Sequence, residues 1–110
     1  MFENSPFDML DKAFKALYPG KRYKAYFDLD MKDEQGESVY GFTQFPDDGD
    51  PIIAVSAELS IKYAVEIFAH ELAHVVAGKQ EWHGETWEKC FDDIFNEYNR
   101  MGEELCRTVK

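Results

Sequence analysis

Apolar residues near the start of the chain recur at helical spacing. Residues 5–8 read Ser-Pro-Phe-Asp, a typical helix start, because serine caps the first turn and proline is tolerated at its first position. The apolar stripe that follows is Phe7, Leu10, Phe14, Leu17 and Tyr18. Pro19-Gly20 ends this predicted helix, and such an aromatic stripe is typical of a face that packs into a core.

The period of the pattern changes to two after the first helix. Apolar and polar side chains alternate over residues 23–31, which indicates a half-buried strand with Tyr23, Ala25, Phe27, Leu29 and Met31 inward. A polar turn at residues 32–36 leads to a second, aromatic-rich strand over residues 38–45, and the two segments predict an antiparallel hairpin. After an acidic turn bounded by prolines, residues 52–55 predict a short apolar strand, buried on both faces if it is central.

Two further helices complete the pattern. The first is predicted over residues 60–77, with Ser56 or Ser60 as its cap, and Gly78 stands where a helix ends in a residue of positive φ. Its predicted core side is Ile61, Val65, Phe68, Leu72, Val75 and Val76. The last helix is predicted from Trp87 to about Arg100. These elements predict an α+β fold, a single domain over residues 1–110 with a small, mostly antiparallel sheet of about three strands.

The central helix carries the candidate chemistry. It contains His70-Glu71-Leu72-Ala73-His74, an HExxH sequence, and the chain has only 3 histidines, all within residues 70–83. Histidines at i and i+4 lie on one helix face and can bind the same metal ion, whereas the intervening glutamate can act as general base. The pattern therefore predicts a zinc site with Glu71 as the catalytic residue.

A third ligand must come from the chain that returns after Gly78, because two helical histidines cannot complete a tetrahedral zinc site. His83 is the favoured candidate, since imidazole is the commoner zinc ligand. The rival carboxylate ligands in the same segment are Glu81, Glu85 and Glu88. The metal ligands are thus predicted to be His70, His74 and His83.

Composition limits the partners that this chain can have. The formal net charge is −10, and because residues 1–30 hold equal numbers of acids and bases, the whole excess lies in residues 31–110. An acidic surface repels phosphate backbones, so nucleic acid is an unlikely partner, and a peptide or protein substrate is expected instead. No apolar run approaches the length that spans a bilayer, and residues 1–6 do not read as a signal peptide.

The two cysteines, Cys90 and Cys106, lack CxxC spacing. As free thiols they fit a reducing compartment, which predicts a cytoplasmic protein. Cys90, seven residues after His83, is also the residue that could close the fourth zinc position and make the site purely structural.

Residues 70–87 resemble the SprT/Spartan-like zinc metallopeptidases. In that family HExxH is followed by a third histidine in an HGxx-aromatic motif, which here is His83-Gly84-Glu85-Thr86-Trp87. The resemblance implies a minimal zincin-like domain in which three histidines ligate zinc and Glu71 is the catalytic base. Small phage-associated HExxH metallopeptidases are another relation that the same residues leave open.

Two functions follow from these expectations. The first is a zinc-dependent endopeptidase in which Glu71 takes a proton from the attacking water. The alternative is a catalytically weak or inactive zincin-fold module that binds or regulates a partner.

Overall fold

The computed structural model describes residues 5–78 and 83–109, with side chains described as far as residue 105. Three helices and three strands account for most of these residues, which confirms the α+β class. In chain order they are α1 (Pro6–Leu17), β1 (Lys24–Asp28), β2 (Gly41–Gln44), β3 (Ile52–Ser56), α2 (Ile61–Ala77) and α3 (Glu85–Val109).

The sheet is mixed, and its strand order is β1-β3-β2. β1 pairs with β3 in parallel, and β2 pairs with β3 antiparallel. The predicted hairpin between the first two strands is therefore wrong, and so is a mostly antiparallel sheet. The turn at residues 32–36 closes only an isolated bridge between Lys32 and Ser38, while the apolar β3 takes the central place, where its residues 53–56 are buried.

The alternation of apolar and polar residues in β1 does not match which of its side chains are buried. Phe27 is 52% exposed and Leu29 is 71% exposed, although both were predicted to point into the core. Met31 does become buried, but it lies beyond the end of the strand. The prediction failed because β1 is an edge strand whose inner face is only partly covered. Phe7 of α1 makes an edge-to-face contact with Phe27 there, at 5.0 Å between ring centroids.

Local signals at the helix ends behave as the sequence indicates. The side chains of Ser5 and Ser60 cap α1 and α2, each accepting a hydrogen bond from the backbone N–H three residues later. Gly78, at φ 94°, ends α2, and its N–H donates to the carbonyl of His74. The bounds of α1 and α2 thus agree with the prediction within a residue or two.

α3 is longer than predicted, because it continues through Gly102 to Val109. Arg100 forms ion pairs with Glu97 and Glu104 along this helix, at 2.7 and 2.9 Å. Pairs of opposite charge at these spacings lie on one helix face and favour the helical conformation, which offsets part of the cost of an internal glycine.

The core lies where α2 packs against α1, α3 and the inner face of the sheet. Its largest fully buried side chains are Phe14, Leu10, Ile53, Leu72 and Ile94. The predicted inward side of α2 is largely confirmed, except that Ile61 is 64% exposed because it is the first residue of the helix. No helix in the described part of the chain is both long and apolar enough to cross a membrane.

β2 and α2 approach each other closely at Gly41. A Cβ atom added there would lie 2.5 Å from the Cγ2 of Ile67 and 3.2 Å from the carbonyl oxygen of Ala54. We expect Gly41→Ala to lower the free energy of unfolding by about 1–3 kcal/mol, because the added methyl must push strand and helix apart. Chemical denaturation followed by circular dichroism measures this loss.

Gly102→Ala is the matched control for that substitution. Nothing lies within 4 Å of a Cβ at Gly102, which sits inside α3, so alanine there should leave stability unchanged or raise it. Equal effects of the two substitutions would contradict the close packing of β2 on α2.

Candidate metal centre

α2 carries three polar side chains on the side that faces β2. His70 and His74 are one helical turn apart, and their ring centroids are 5.0 Å from each other. Glu71, between them in sequence, is 5% exposed, and His74 is 9% exposed. The apolar side of α2 is held in the core, so the helix presents these groups from a fixed position.

His83 joins the two helical histidines from the segment before α3. Its ring centroid lies 4.8 Å from that of His70 and 5.0 Å from that of His74, and the Nε2 atoms of His70 and His83 are 3.1 Å apart. Across the three residues, one ring nitrogen from each lies within 4.8 Å of the others. The three histidines are therefore close enough to bind one metal ion.

The rival ligands that the structure describes do not join this group. Glu85 and Glu88 are exposed residues in the first turn of α3 and lie outside the cluster, whereas Glu81 is outside the described residues. Cys90 is 6% exposed within the core and interacts with Tyr18, the residue that ends α1. The suggestion that Cys90 closes the site is wrong, because α3 turns this residue toward α1 and away from the histidines.

Trp87 supports the site from α3. Its indole N–H donates to the carbonyl oxygen of His70 at 3.1 Å, and its ring lies 4.7 Å from that of His70 and 4.6 Å from that of His83. Phe91, one turn further along α3, stacks on the ring of Trp87 with 5.4 Å between the ring centroids. The sequence pattern placed Trp87 in a core stripe, and only its position four residues after His83 hinted at contact with the ligands.

Thr43 of β2 positions the carboxylate of Glu71. The threonine hydroxyl donates to Oε1 of Glu71 at 2.7 Å. Burial raises the pKa of Glu71, and this hydrogen bond offsets part of the rise. Sequence reasoning missed Thr43, because no local signal gives the register by which a strand residue meets a helix 28 positions later.

The environment of α2 favours the neutral form of His70 and His74. Burial lowers the pKa of His70, and the nearby His83 lowers it further. Burial, with His70 and His83 beside it, lowers the pKa of His74 to about 4. Neutral imidazole is the form that binds metal ions, so the two histidines of α2 fit a metal without first having to lose protons.

The three histidines and Glu71 open into a cleft of about 730 Å³. Residues 41–46, which include β2, form the opposite wall. The N–H of Ser56 donates to the carbonyl of Tyr40. Since every second residue of an antiparallel strand bonds to the same neighbour, the N–H and C=O groups of Phe42 also point toward β3. The N–H and C=O groups of Gly41 and Thr43 consequently point to the open edge of the sheet.

Comparisons of the chain with models of known protein families, with curated proteins and with solved structures found no match. The resemblance to SprT/Spartan-like peptidases thus rests on the motif residues at 70–74 and 83–87 alone.

The lowered histidine pKa predicts that metal-free protein loses stability in mild acid. Because the pKa of His74 is about 4 in the folded chain and near 6.5 unfolded, the unfolded chain binds more protons between these values. The free energy of unfolding should therefore fall as pH drops from 6.5 to 4, by about 2 kcal/mol from this residue. Urea denaturation of chelator-treated protein at several pH values measures the slope.

His74→Gln is the control, because an amide of similar size does not titrate in this range. Its stability should depend less steeply on pH than that of the unaltered chain. Identical slopes for the two proteins would contradict a buried, neutral His74.

Proposed function

We propose that this protein is a zinc-dependent metallopeptidase that hydrolyses peptide bonds, with His70, His74 and His83 as metal ligands and Glu71 as the catalytic base. One observation carries the proposal: three imidazoles converge within 4.8 Å beside a buried carboxylate that opens into the same cleft. A purely structural site has no use for a base beside its ligands. We also propose that the fold is zincin-like and that the chain is related to the SprT/Spartan-like metallopeptidases.

The donor set supports zinc as the metal. Three imidazoles are a ligand set that catalytic zinc commonly uses, although copper, iron and nickel also bind imidazole. When bound, zinc polarises the scissile carbonyl and lowers the pKa of its water to about 7.

Glu71 is placed to move the proton in this reaction. A carboxylate with a raised pKa can accept a proton from water near neutral pH and pass it to the leaving amine. Thr43 holds one carboxylate oxygen, which fixes the orientation of Glu71 within the cleft. Trp87, bonded to the backbone of His70, keeps the first ligand in place.

The wall formed by β2 favours a peptide as substrate. The outward backbone groups of Gly41 and Thr43 can pair with an extended peptide, which would then lie along the cleft past Glu71. Main-chain pairing of this kind binds many sequences, since specificity comes only from pockets for alternate side chains. A cytoplasmic location and the lack of a nucleic-acid partner remain predictions from cysteine content and charge.

Glu71→Gln should abolish hydrolysis and leave the metal bound. The amide keeps the shape of the carboxylate but cannot accept the proton, so kcat/KM should fall by about 10²–10⁴-fold. Cleavage of a quenched fluorescent peptide library, read beside metal content, measures both quantities. Glu66→Gln is the matched control, because Glu66 lies on the same helix and outside the cleft lining.

Metal that is lost from the Glu71→Gln variant would contradict the role of Glu71 as base. Metal that stays bound in the unaltered protein, with no cleavage of any peptide in the library, would favour the alternative of a binding or regulatory module.

His83→Ala should reduce metal binding severely. Protein purified without chelator should carry roughly one zinc ion per chain, and removal of a third ligand leaves only the two helical histidines. Elemental analysis and competition with a chromogenic chelator measure the loss. Glu88→Ala is the control, since its carboxylate lies close in sequence but outside the cluster; unchanged affinity in His83→Ala would refute the three-histidine site.

A further inference from the structure

β1 leaves one edge of the sheet unpaired among the described residues, at the end opposite to the cleft. Lys24 donates its N–H to the carbonyl of Pro51, and Asp28 accepts from the N–H of Ala57. In a parallel ladder these bonds alternate, so residues 24, 26 and 28 direct their backbone groups to β3. The N–H and C=O groups of Ala25 and Phe27 therefore point outward, ready to pair with another strand.

The side chains along this edge are more apolar than an exposed edge strand normally carries. Tyr26 is 45% exposed, Phe27 is 52% exposed, and Leu29, just past the strand, is 71% exposed. Solvent-facing edges are usually protected from pairing by charges, prolines or bulges, and large apolar groups there mark an interaction site. β1 contains one basic and one acidic residue, at its two ends.

We propose that β1 pairs antiparallel with β1 of a second copy of this chain, about a two-fold axis at Tyr26. To form hydrogen bonds between the two copies, residues whose N–H and C=O groups point outward must lie opposite each other. This condition allows three registers, in which the two-fold axis passes Ala25, Tyr26 or Phe27. Only the register centred on Tyr26 places Lys24 opposite the partner's Asp28, and it does so twice by symmetry. Neither Lys24 nor Asp28 forms an ion pair within the part of the chain that the structure describes.

The same register fills an apolar cavity. A cavity of about 250 Å³ lies beside Ala25, between Phe7, Val55 and Phe68. Phe27 lies on the helix-covered face of its strand, where its ring contacts that of Phe7 edge to face. In the Tyr26-centred register the partner's Phe27 stands opposite Ala25 on that face, so its ring enters the cavity over the smallest side chain of the strand.

The resulting dimer has a continuous sheet of six strands with all helices on one side. β2 of each copy then forms an outer edge, so the two clefts stay open at opposite ends of the assembly. The dimer does not depend on the proposed peptidase activity, because none of the residues in the pairing belongs to the metal centre.

Charge reversal tests this register directly. Sedimentation velocity over a concentration series should show the full chain in a monomer–dimer equilibrium, with a micromolar dissociation constant suited to a small interface. Lys24→Glu should raise that dissociation constant by at least about tenfold, because both Lys24–Asp28 pairs become repulsive. Lys24→Glu combined with Asp28→Lys should restore dimerisation, since the pairs are rebuilt with their signs exchanged.

A variant that removes a backbone N–H and changes no charge tests whether the charge substitutions act only indirectly. Ala25→Pro removes an outward N–H that β3 does not use, so the fold measured by circular dichroism should persist while the dimer is lost. A chain that stays monomeric up to about 1 mM would overturn the proposal. So would a dimer that Ala25→Pro leaves intact, or one that the double charge reversal fails to restore.

Discussion

The enclosure of α2 on most of its surface is the constraint from which the site follows. α1, α3, β2 and β3 all pack against this helix, so the strip that carries the histidines and Glu71 is largely withdrawn from water although it lines the cleft. Removal of water from that strip favours the uncharged form of each group, which lowers the pKa of His70 and His74 and raises that of Glu71. One packing arrangement thus prepares neutral ligands and a more basic carboxylate together.

The parts of this arrangement that the sequence predicted are local. Ser5, Ser60 and Gly78 act within one turn of the backbone, so their residue types alone indicate where helices begin and end. The spacing of His70 and His74 is likewise a property of a single helix. His83 could be predicted because three histidines in one short segment are hard to explain otherwise.

The parts that escaped prediction depend on contacts between distant segments. The strand that is buried most completely takes the centre of the sheet, and this decides the strand order. Two consecutive strands with a turn between them have the sequence pattern of a hairpin whether or not they pair. Thr43 and Trp87 reach the site only through the register of β2 and the docking of α3. The exposure of Phe27 followed from its strand lying at an edge, which no alternation of residues reveals.

The position of the three histidines, two on α2 and one in the segment before α3, has a consequence for folding. A metal ion held by His70, His74 and His83 would tie the end of α2 to the segment that leads into α3, and an unfolded chain would lose that tie. Ligand binding to the native state alone adds RT ln(1 + [L]/Kd) to stability, about 2.7 kcal/mol at a hundredfold excess over Kd. The melting temperature therefore reports the fraction of the protein that has metal bound, and its measurement requires no substrate.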